Sequence, residues 1–249
     1  MSHHPAFCFY KVFEPEPAKT ITFDRHYLLY AAKGSMRLET AGKTWILPPS
    51  RAAWLAADTP IGMSFSAPIT CCSVLYAPNS IPQPKRPCAV FEMPPLAREM
   101  VLSCRAWGPE AKQHEPLAAQ MFATLATLTQ KLAEHPCNTW TPTGTSASLK
   151  RALRFTESNL DADISLKEVA AAAHVSERTL ARRFSDETGL TWRQIQRKMR
   201  MIRAMELLAD GARITDVAFA VGYSSQSAFN AAFKAFVGES PTAFLRHGT

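Results

Sequence analysis

Ser165-Leu-Lys-Glu-Val-Ala-Ala-Ala-Ala-His-Val-Ser-Glu-Arg-Thr-Leu-Ala-Arg-Arg-Phe184 decides the reading of this chain. Ser165 is a natural helix N-cap, and Glu168 three residues later completes a capping box. An alanine-rich helix follows to Ala173, with side chains small enough for a second helix to cross closely. His174-Val175 makes a turn, and Ser176 caps a new helix. Leu180 and Phe184, four residues apart, anchor that helix in a core. Glu177, Arg178, Ala181 and Arg182 therefore fall on its outer face. A helix with arginine in its first turns suits the major groove, where arginine reads guanine through two hydrogen bonds.

Sliding the chain against itself by 48–49 residues reveals a repeat: Val169-Ala170 against Val217-Ala218, Phe184 against Phe233, Gly189 against Gly238. The second copy runs Ile214-Thr-Asp-Val-Ala-Phe-Ala-Val-Gly-Tyr-Ser-Ser-Gln-Ser-Ala-Phe-Asn-Ala-Ala-Phe-Lys234. Gly222 sits at its turn, where a positive φ is commonly required. Phe229 and Phe233 take the core positions, while Gln226, Ser227 and Asn230 face outward, side chains able to pair with adenine. Between the units, Arg193 to Ala209 reads as a basic helix with Ile195, Met199, Ile202 and Leu208 on its apolar side. Its length of roughly 25 Å, at ~1.5 Å per residue, falls somewhat short of one duplex turn of ~34 Å. From Arg178 to Arg203 the basic residues Arg178, Arg182, Arg183, Arg193, Arg197, Lys198, Arg200 and Arg203 are opposed only by Asp186 and Glu187. Such density suits phosphate-backbone binding, though a solvated helix face explains charge alone equally well. Two helix-turn-helix units in tandem, one beside the basic stripe, point to double-stranded DNA.

The first ~90 residues read differently. Short apolar or alternating runs at His26–Tyr30, Met36–Thr40, Thr44–Leu47, Ala52–Leu55, Ile61–Phe65 and Cys72–Tyr76 are spaced by glycine and proline turns, as in an antiparallel sandwich or barrel. Dense prolines from Pro78 to Pro95 mark an exit from the sheet. Helices are expected over about Pro95–Trp107 and Glu115–Glu134, the second with Leu117, Met121, Leu125, Leu128 and Leu132 as its apolar stripe. Residues 136–148 are rich in helix breakers and read as a linker.

Residues from about Leu149 to Arg246 resemble the DNA-binding domain of the AraC/XylS family of bacterial regulators. The most specific stretch is Asp216 to Phe244, with its glycine-aromatic pair, serine-rich turn, Phe233-Lys234, Gly238 and Ser240-Pro241. The resemblance implies base-facing Arg178, Ala181 and Arg182 in the first unit and Gln226, Ser227, Asn230 and Ala231 in the second; Thr179 and Lys234 complete the candidate DNA-binding set. His174 departs from the pattern at a turn position often occupied by glycine, which implies slight strain. Ala231 departs where many members carry a basic reader, so the second unit is expected to read more weakly. More loosely, Leu47-Pro-Pro-Ser-Arg-Ala-Ala-Trp-Leu55 is similar to the cupin-like sensor domains of this family.

The expected fold is thus α+β with two domains: a cupin-like antiparallel β-barrel or jelly roll with following helices over 1–135, serving effector binding or dimerisation; a linker over 136–148; and an all-α tandem helix-turn-helix domain over 149–249. Within the barrel, Tyr27, Arg37, Trp45, Trp54 and Phe65 are candidate effector-pocket residues, together with Tyr30 and Met63, with Arg37 or Arg51 to orient a ligand. Simple core packing explains the aromatic residues too. The family implies RNA polymerase as a partner, activation as the habit and a possible homodimer; the alternative is an N-terminal half used only for dimerisation or polymerase contact.

Other classes find little support. His26, His114 and His135 are scattered and His3-His4 lie near the terminus, so no metal site or cofactor is expected. Neither a nucleophile motif nor a phosphate loop is present, so no catalytic residue is assigned. The six cysteines contain no C-x-x-C pair. Cys71 and Cys72, as strand neighbours, should point to opposite faces, which argues against joint sensing. The chain has 47% hydrophobic and 20% charged residues and a net charge of +7, an ordinary globular composition. Without an apolar run near ~18 residues or a basic-then-apolar N-terminus, neither membrane nor secretion is expected, and the cytoplasm is the expected compartment.

Overall fold

The computed structural model describes residues 4–110 and 115–246; His3 and His114 lie outside them. Internal contacts divide the chain into two units.

The first unit comprises the described residues of 4–40 and 47–138. One of its sheets has the order β1-β8-β3-β6-β9, formed by β1 (Ala6–Phe13), β3 (His26–Lys33), β6 (Arg51–Leu55), β8 (Ile69–Tyr76) and β9 (Cys88–Glu92). Opposite it lie β4 (Met36–Thr40), β7 (Ile61–Phe65) and β2 (Glu16–Ile21), paired antiparallel with β7 in the middle. The six strands expected from alternating runs are present, four of them to within one residue, while β3 runs on to Lys33 and β8 begins at Ile69. β9 was not expected: it occupies five proline-free residues inside the proline-rich exit and pairs at the sheet edge with β6, where Ala53 faces Val90. Flanking Pro87 and Pro94 bound it without costing a ladder bond.

Two helices close the far side of this sheet: α1 (Pro95–Ser103), extended by a 3-10 turn (Cys104–Ala106), and α2 (Pro116–Ala133). Alternation sends Leu28, Tyr30, Trp54, Val74 and Tyr76 toward them. The fully buried face of α2 is Ala118, Phe122, Leu125, Ala126 and Thr129; of the expected stripe Leu125 is buried, Met121, Leu128 and Leu132 pack half-buried against the same core, and Leu117 alone is exposed. Phe122 decides this. Its ring packs edge-on against Trp107 at 5.8 Å and Tyr76 at 6.3 Å, and the Tyr76 hydroxyl donates to the Phe122 carbonyl at 3.1 Å. The seat of this aromatic ring sets the rotation of the helix, so that Phe122 rather than Leu117 meets the core beside the rest of the stripe.

The second unit comprises the described residues of 41–46 and 139–246. Its helices are α3 (Ala147–Glu157), α4 (Leu166–Ala172), α5 (Glu177–Thr188), α6 (Trp192–Ala209), α7 (Ile214–Ala220), α8 (Gln226–Val237) and α9 (Pro241–Arg246). Two hydrophobic clusters lie side by side. Leu149, Leu153, Val169, Leu180 and Phe184 form the first with Trp192, Ile195 and Met199 of α6. Val217, Phe229, Phe233 and Phe244 form the second with Met201, Met205 and Leu208, also of α6. One helix thus contributes its first half to one core and its second half to the other.

The segment expected as a linker is ordered differently. Within it, β10 (Trp140–Pro142) pairs antiparallel with β5 (Lys43–Leu47), placing Trp140 opposite Trp45, and α3 begins at Ala147 behind the Ser146 cap. Residues 41–46, covalently part of the β-rich half, therefore group with the helical unit. Breaker-rich composition signals the absence of helix but does not exclude a strand whose partner lies far away in the chain.

Candidate nucleic-acid interface

Both helix-turn-helix units are built by the local devices legible in the residues. The Ser165–Glu168 capping box is formed in both directions. Ser176 and Ser225 cap α5 and α8, their hydroxyls accepting from the Thr179 and Ala228 N–H groups at 3.2 Å each. The two turns are the same: Val175 N–H donates to Ala170 and Tyr223 N–H to Ala218, at 3.1 and 3.0 Å. Each closes through a residue in the left-handed region, His174 at φ 57° and Gly222 at φ 78°. Leu180 and Phe184 in α5, and Phe229 and Phe233 in α8, are wholly buried.

The opposite faces carry the candidate readers. Arg178, Ala181 and Arg182 are exposed on α5; Gln226, Ser227, Ala231 and Lys234 are exposed on α8. Thr179 is half-buried, its hydroxyl within 2.9 Å of Ser176 Oγ, so it belongs mainly to the cap. Gln226 Oε1 accepts from the Thr215 hydroxyl at 2.9 Å, which orients the amide from α7. Asn230 is half-buried, and its Oδ1 is buried with no hydrogen-bond partner among the described residues. The first unit thus presents two extended cations, the second short polar side chains with one amide partly withdrawn.

Not all of the basic stripe is available to phosphate. Arg178, Arg182, Arg193, Arg197 and Arg203 are exposed, whereas Arg183, Lys198 and Arg200 are half-buried and engaged. Arg183 donates to the Ser148 hydroxyl at the start of α3. Arg200 donates to the carbonyls of Gly222 at 3.3 Å and Ala162 at 3.1 Å, bridging the two halves of the unit. Lys198 Nζ lies 5.3 Å from the Trp140 ring centre and 5.4 Å from that of Phe236, and burial lowers its pKa. Sequence spacing placed all eight in one stripe; their partners, remote in the chain, separate the groups that reach outward from those that fasten the fold.

The first unit holds a cleft of about 450 Å³ between its sheets, lined among others by Phe7, Phe9, Phe13, Tyr27, Leu29, Met36, Met63 and Phe65. Charged Glu16, Lys19, Asp24 and Arg25 also line it. Of the five candidate pocket residues, Tyr27 and Phe65 line the cleft. Trp54 does not: it points to the helix-covered face of its sheet, 5.6 Å edge-on from Tyr76. Tyr30 faces the same way. Trp45 belongs to the second unit, where it pairs with Trp140. Arg37 neighbours the lining residue Met36 on β4, and alternation turns it to the other face. Arg51 is buried in β6 opposite Glu92 and is not a lining residue either. Sequence reasoning missed β1 and β2, and with them Phe7, Phe9, Phe13 and Lys19, as well as Arg25 in the loop after β2; the alternation of Phe7, Phe9 and Phe13 was the available signal.

Cys71 lines the cleft, with its thiol 3.1 Å from Ser73 Oγ, while Cys72 points to the opposite face, 3.8 Å from Cys8. Burial raises the pKa of the Cys71 thiol. His26 is buried, and its Nδ1 accepts from the Ala57 N–H at 3.0 Å, the arrangement of a neutral core histidine; burial lowers its pKa. Among the described residues no group of three or more histidine, cysteine or carboxylate side chains is placed to hold a metal. None of the described helices is long and apolar enough to cross a membrane.

Comparison with known proteins agrees with this geometry. A family described as a helix-turn-helix domain matches residues 169–247. The chain is similar to the transcriptional regulator NimR of Escherichia coli, 24% identical over 98% of this chain and 89% of that protein. It is 30% identical to the transcriptional activator RhaS of Klebsiella pneumoniae over 55% of this chain and 49% of that one. With the transcriptional regulator VqsM of Pseudomonas aeruginosa it shares 39% identity over 36% of this chain and 28% of that one. These relatives are regulators rather than enzymes. A duplicated helix-turn-helix around one shared helix, following a two-sheet N-terminal unit, is the architecture the sequence resemblance implied; the chain carries an AraC-type helix-turn-helix domain at its C-terminal end and is similar to AraC-family DNA-binding transcription regulators.

Proposed function

We propose that this regulator is an effector-responsive activator, acting in the cytoplasm, whose α5 and α8 read two boxes in double-stranded DNA. The observation that carries the reading is the matched pair of capped, core-anchored helices presenting Arg178 and Arg182 on one and Gln226, Ser227 and Lys234 on the other. In this reading the arginines pair with guanine edges, Gln226 pairs with adenine, and Arg193, Arg197 and Arg203 neutralise phosphates. Thr179 and Ala181 line the approach of α5, and Asn230 contributes less than its position suggests.

The N-terminal region, 1–135, serves as sensor and dimerisation domain, and 149–249 as the DNA-binding domain. The aromatic cleft supports a sensor that takes a largely apolar small molecule, a size and lining common in ligand sites. A filled barrel would have favoured a purely dimerising or polymerase-contacting half. Contact with RNA polymerase and homodimer formation follow from the family. Neither a cofactor nor a catalytic step enters this reading.

Selection of random duplex DNA by the purified chain, repeated at several salt concentrations, tests it. Two boxes about one helical turn apart, lost in the Arg178→Ala plus Arg182→Ala variant, are expected. Recovery of no motif, with only weak and steeply salt-dependent binding in the presence and absence of candidate effectors, would overturn it.

A further inference from the structure

We infer that residues 140–148 are a clamp that positions both recognition helices, with Lys198 as its central positioning residue. The segment reaches α8 through a stack. Lys198 Nζ lies between the Trp140 ring, 5.3 Å away, and the Phe236 ring near the end of α8, 5.4 Å away. Lys43 Nζ sits over the other part of the pairing, 4.4 Å from the same Trp140 ring. Cations over aromatic faces in a half-buried setting are attractive and orientation-dependent, so the stack resists sliding.

The same segment reaches α5 by hydrogen bonds. Glu187 Oε2, in the last turn of α5, accepts from the Thr145 N–H at 2.9 Å, the Thr145 hydroxyl at 2.6 Å and the Ser146 N–H at 2.9 Å. Arg183, one turn earlier, donates to the Ser148 hydroxyl. Three donors on one carboxylate oxygen hold the strand exit and the α3 cap to the recognition helix. One nine-residue segment thus reaches both readers, α5 directly and α8 through Lys198. Its strand is in turn held by residues 43–45, which continue covalently from β4, whose Met36 lines the cleft. A shift of that strand changes the spacing of the two readers; only this last link to the cleft rests on the effector reading above.

The test compares the full-length chain with Lys198→Met, Lys198→Arg and Trp140→Ala. Affinity is measured for duplexes with two selected boxes at varied separations and for duplexes with one box, and amide hydrogen exchange is followed without DNA. Lys198→Met should weaken binding at the preferred separation roughly tenfold, a size typical of coupling between sites, and flatten the dependence on separation. Single-box affinity should hold, and Lys198→Arg should restore the profile. Lys198→Met and Trp140→Ala should both speed exchange at the end of α8 while the β-sheet amides stay protected. An equal loss on one and two boxes, with a salt slope shallower by about one, would make Lys198 a phosphate contact and overturn the clamp. Unchanged exchange in α8 would overturn it as well. Because exchange is read without DNA, it decides the clamp even where the two-box reading fails.

Discussion

His174 and Gly222 occupy the same left-handed turn in the two helix-turn-helix units, at φ 57° and 78°. Their surroundings differ. A Cβ on Gly222 would meet the Leu160 carbonyl at 2.6 Å and the Arg200 guanidinium at 2.7 Å. His174 is exposed and carries its Cβ without such a barrier. The second turn is therefore locked to glycine by both conformation and packing, the first only disfavoured by conformation.

Opposite outcomes follow for the two turns. His174→Gly relieves a left-handed conformation worth ~1–2 kcal/mol and adds back ~0.5–1 kcal/mol of chain entropy, for a net gain of roughly 0.5 kcal/mol. Gly222→Ala adds the strain and the clash together and should cost at least ~2 kcal/mol. Urea unfolding of both variants checks the signs; a Gly222→Ala variant as stable as the parent would refute the packing argument.

The readers are unequal. Arg182 is exposed on α5, whereas Asn230 is half-buried with its carbonyl oxygen turned inward. Arg182→Ala should cost ~1–3 kcal/mol of specific binding and relax the preference at one base. Asn230→Ala should cost less. Competition binding against the selected site measures both, and comparable losses would contradict the geometry.

Glu187 links pH to the helical unit. Partial burial works against its charged form, but the hydrogen bonds from Ser146 and Thr145 prevail and hold its carboxyl down at about 2, against an ordinary value of 4.5. A carboxyl depressed on folding stabilises above its unfolded pKa, and that contribution is lost as pH falls through the folded one. The loss should therefore develop between about pH 4.5 and 2. Glu187→Gln should remove this part of the acid dependence and, with solvent screening, lower neutral stability by no more than ~1 kcal/mol. Thermal melts across that window, variant against parent, give the answer.

Filling the cleft should imitate or block a ligand. Met63 lines it and is half-buried on β7. Met63→Trp places a larger apolar side chain in open volume, and its fold should survive with little change in melting temperature. Apolar molecules that raise the melting temperature of the parent should no longer do so. A full ligand-induced shift in the Met63→Trp variant would place binding elsewhere.

Much of the fold was legible because its causes are local. Six strands emerged from alternation and turn residues, and the paired helices from caps and four-residue spacing. The failures share one cause. β9 sits among prolines that composition assigns to a loop, yet β6 offers its five residues an edge. Trp140–Pro142 is a strand only because residues 43–45 lie beside it. In α2 Leu117 is left exposed because Phe122, outside the expected stripe, takes a seat made by Trp107 and Tyr76.

What the residues alone determined is where the paired helices and six of the strands lie, which side chains anchor the paired helices, and that the chain carries two helix-turn-helix units. Those properties rest on contacts within a few positions, which the periods of 3.6 and 2 expose directly. Only the tertiary structure decided which of the basic residues reach outward and which aromatic residues surround the cleft. Lys198 is drawn inward by Trp140 and Phe236, Arg200 by Ala162 and Gly222, and Trp54 by Tyr76. Each outcome depends on partners remote in the chain. A side chain's face is set by its neighbours in sequence, but its exposure is set by what the fold brings against that face.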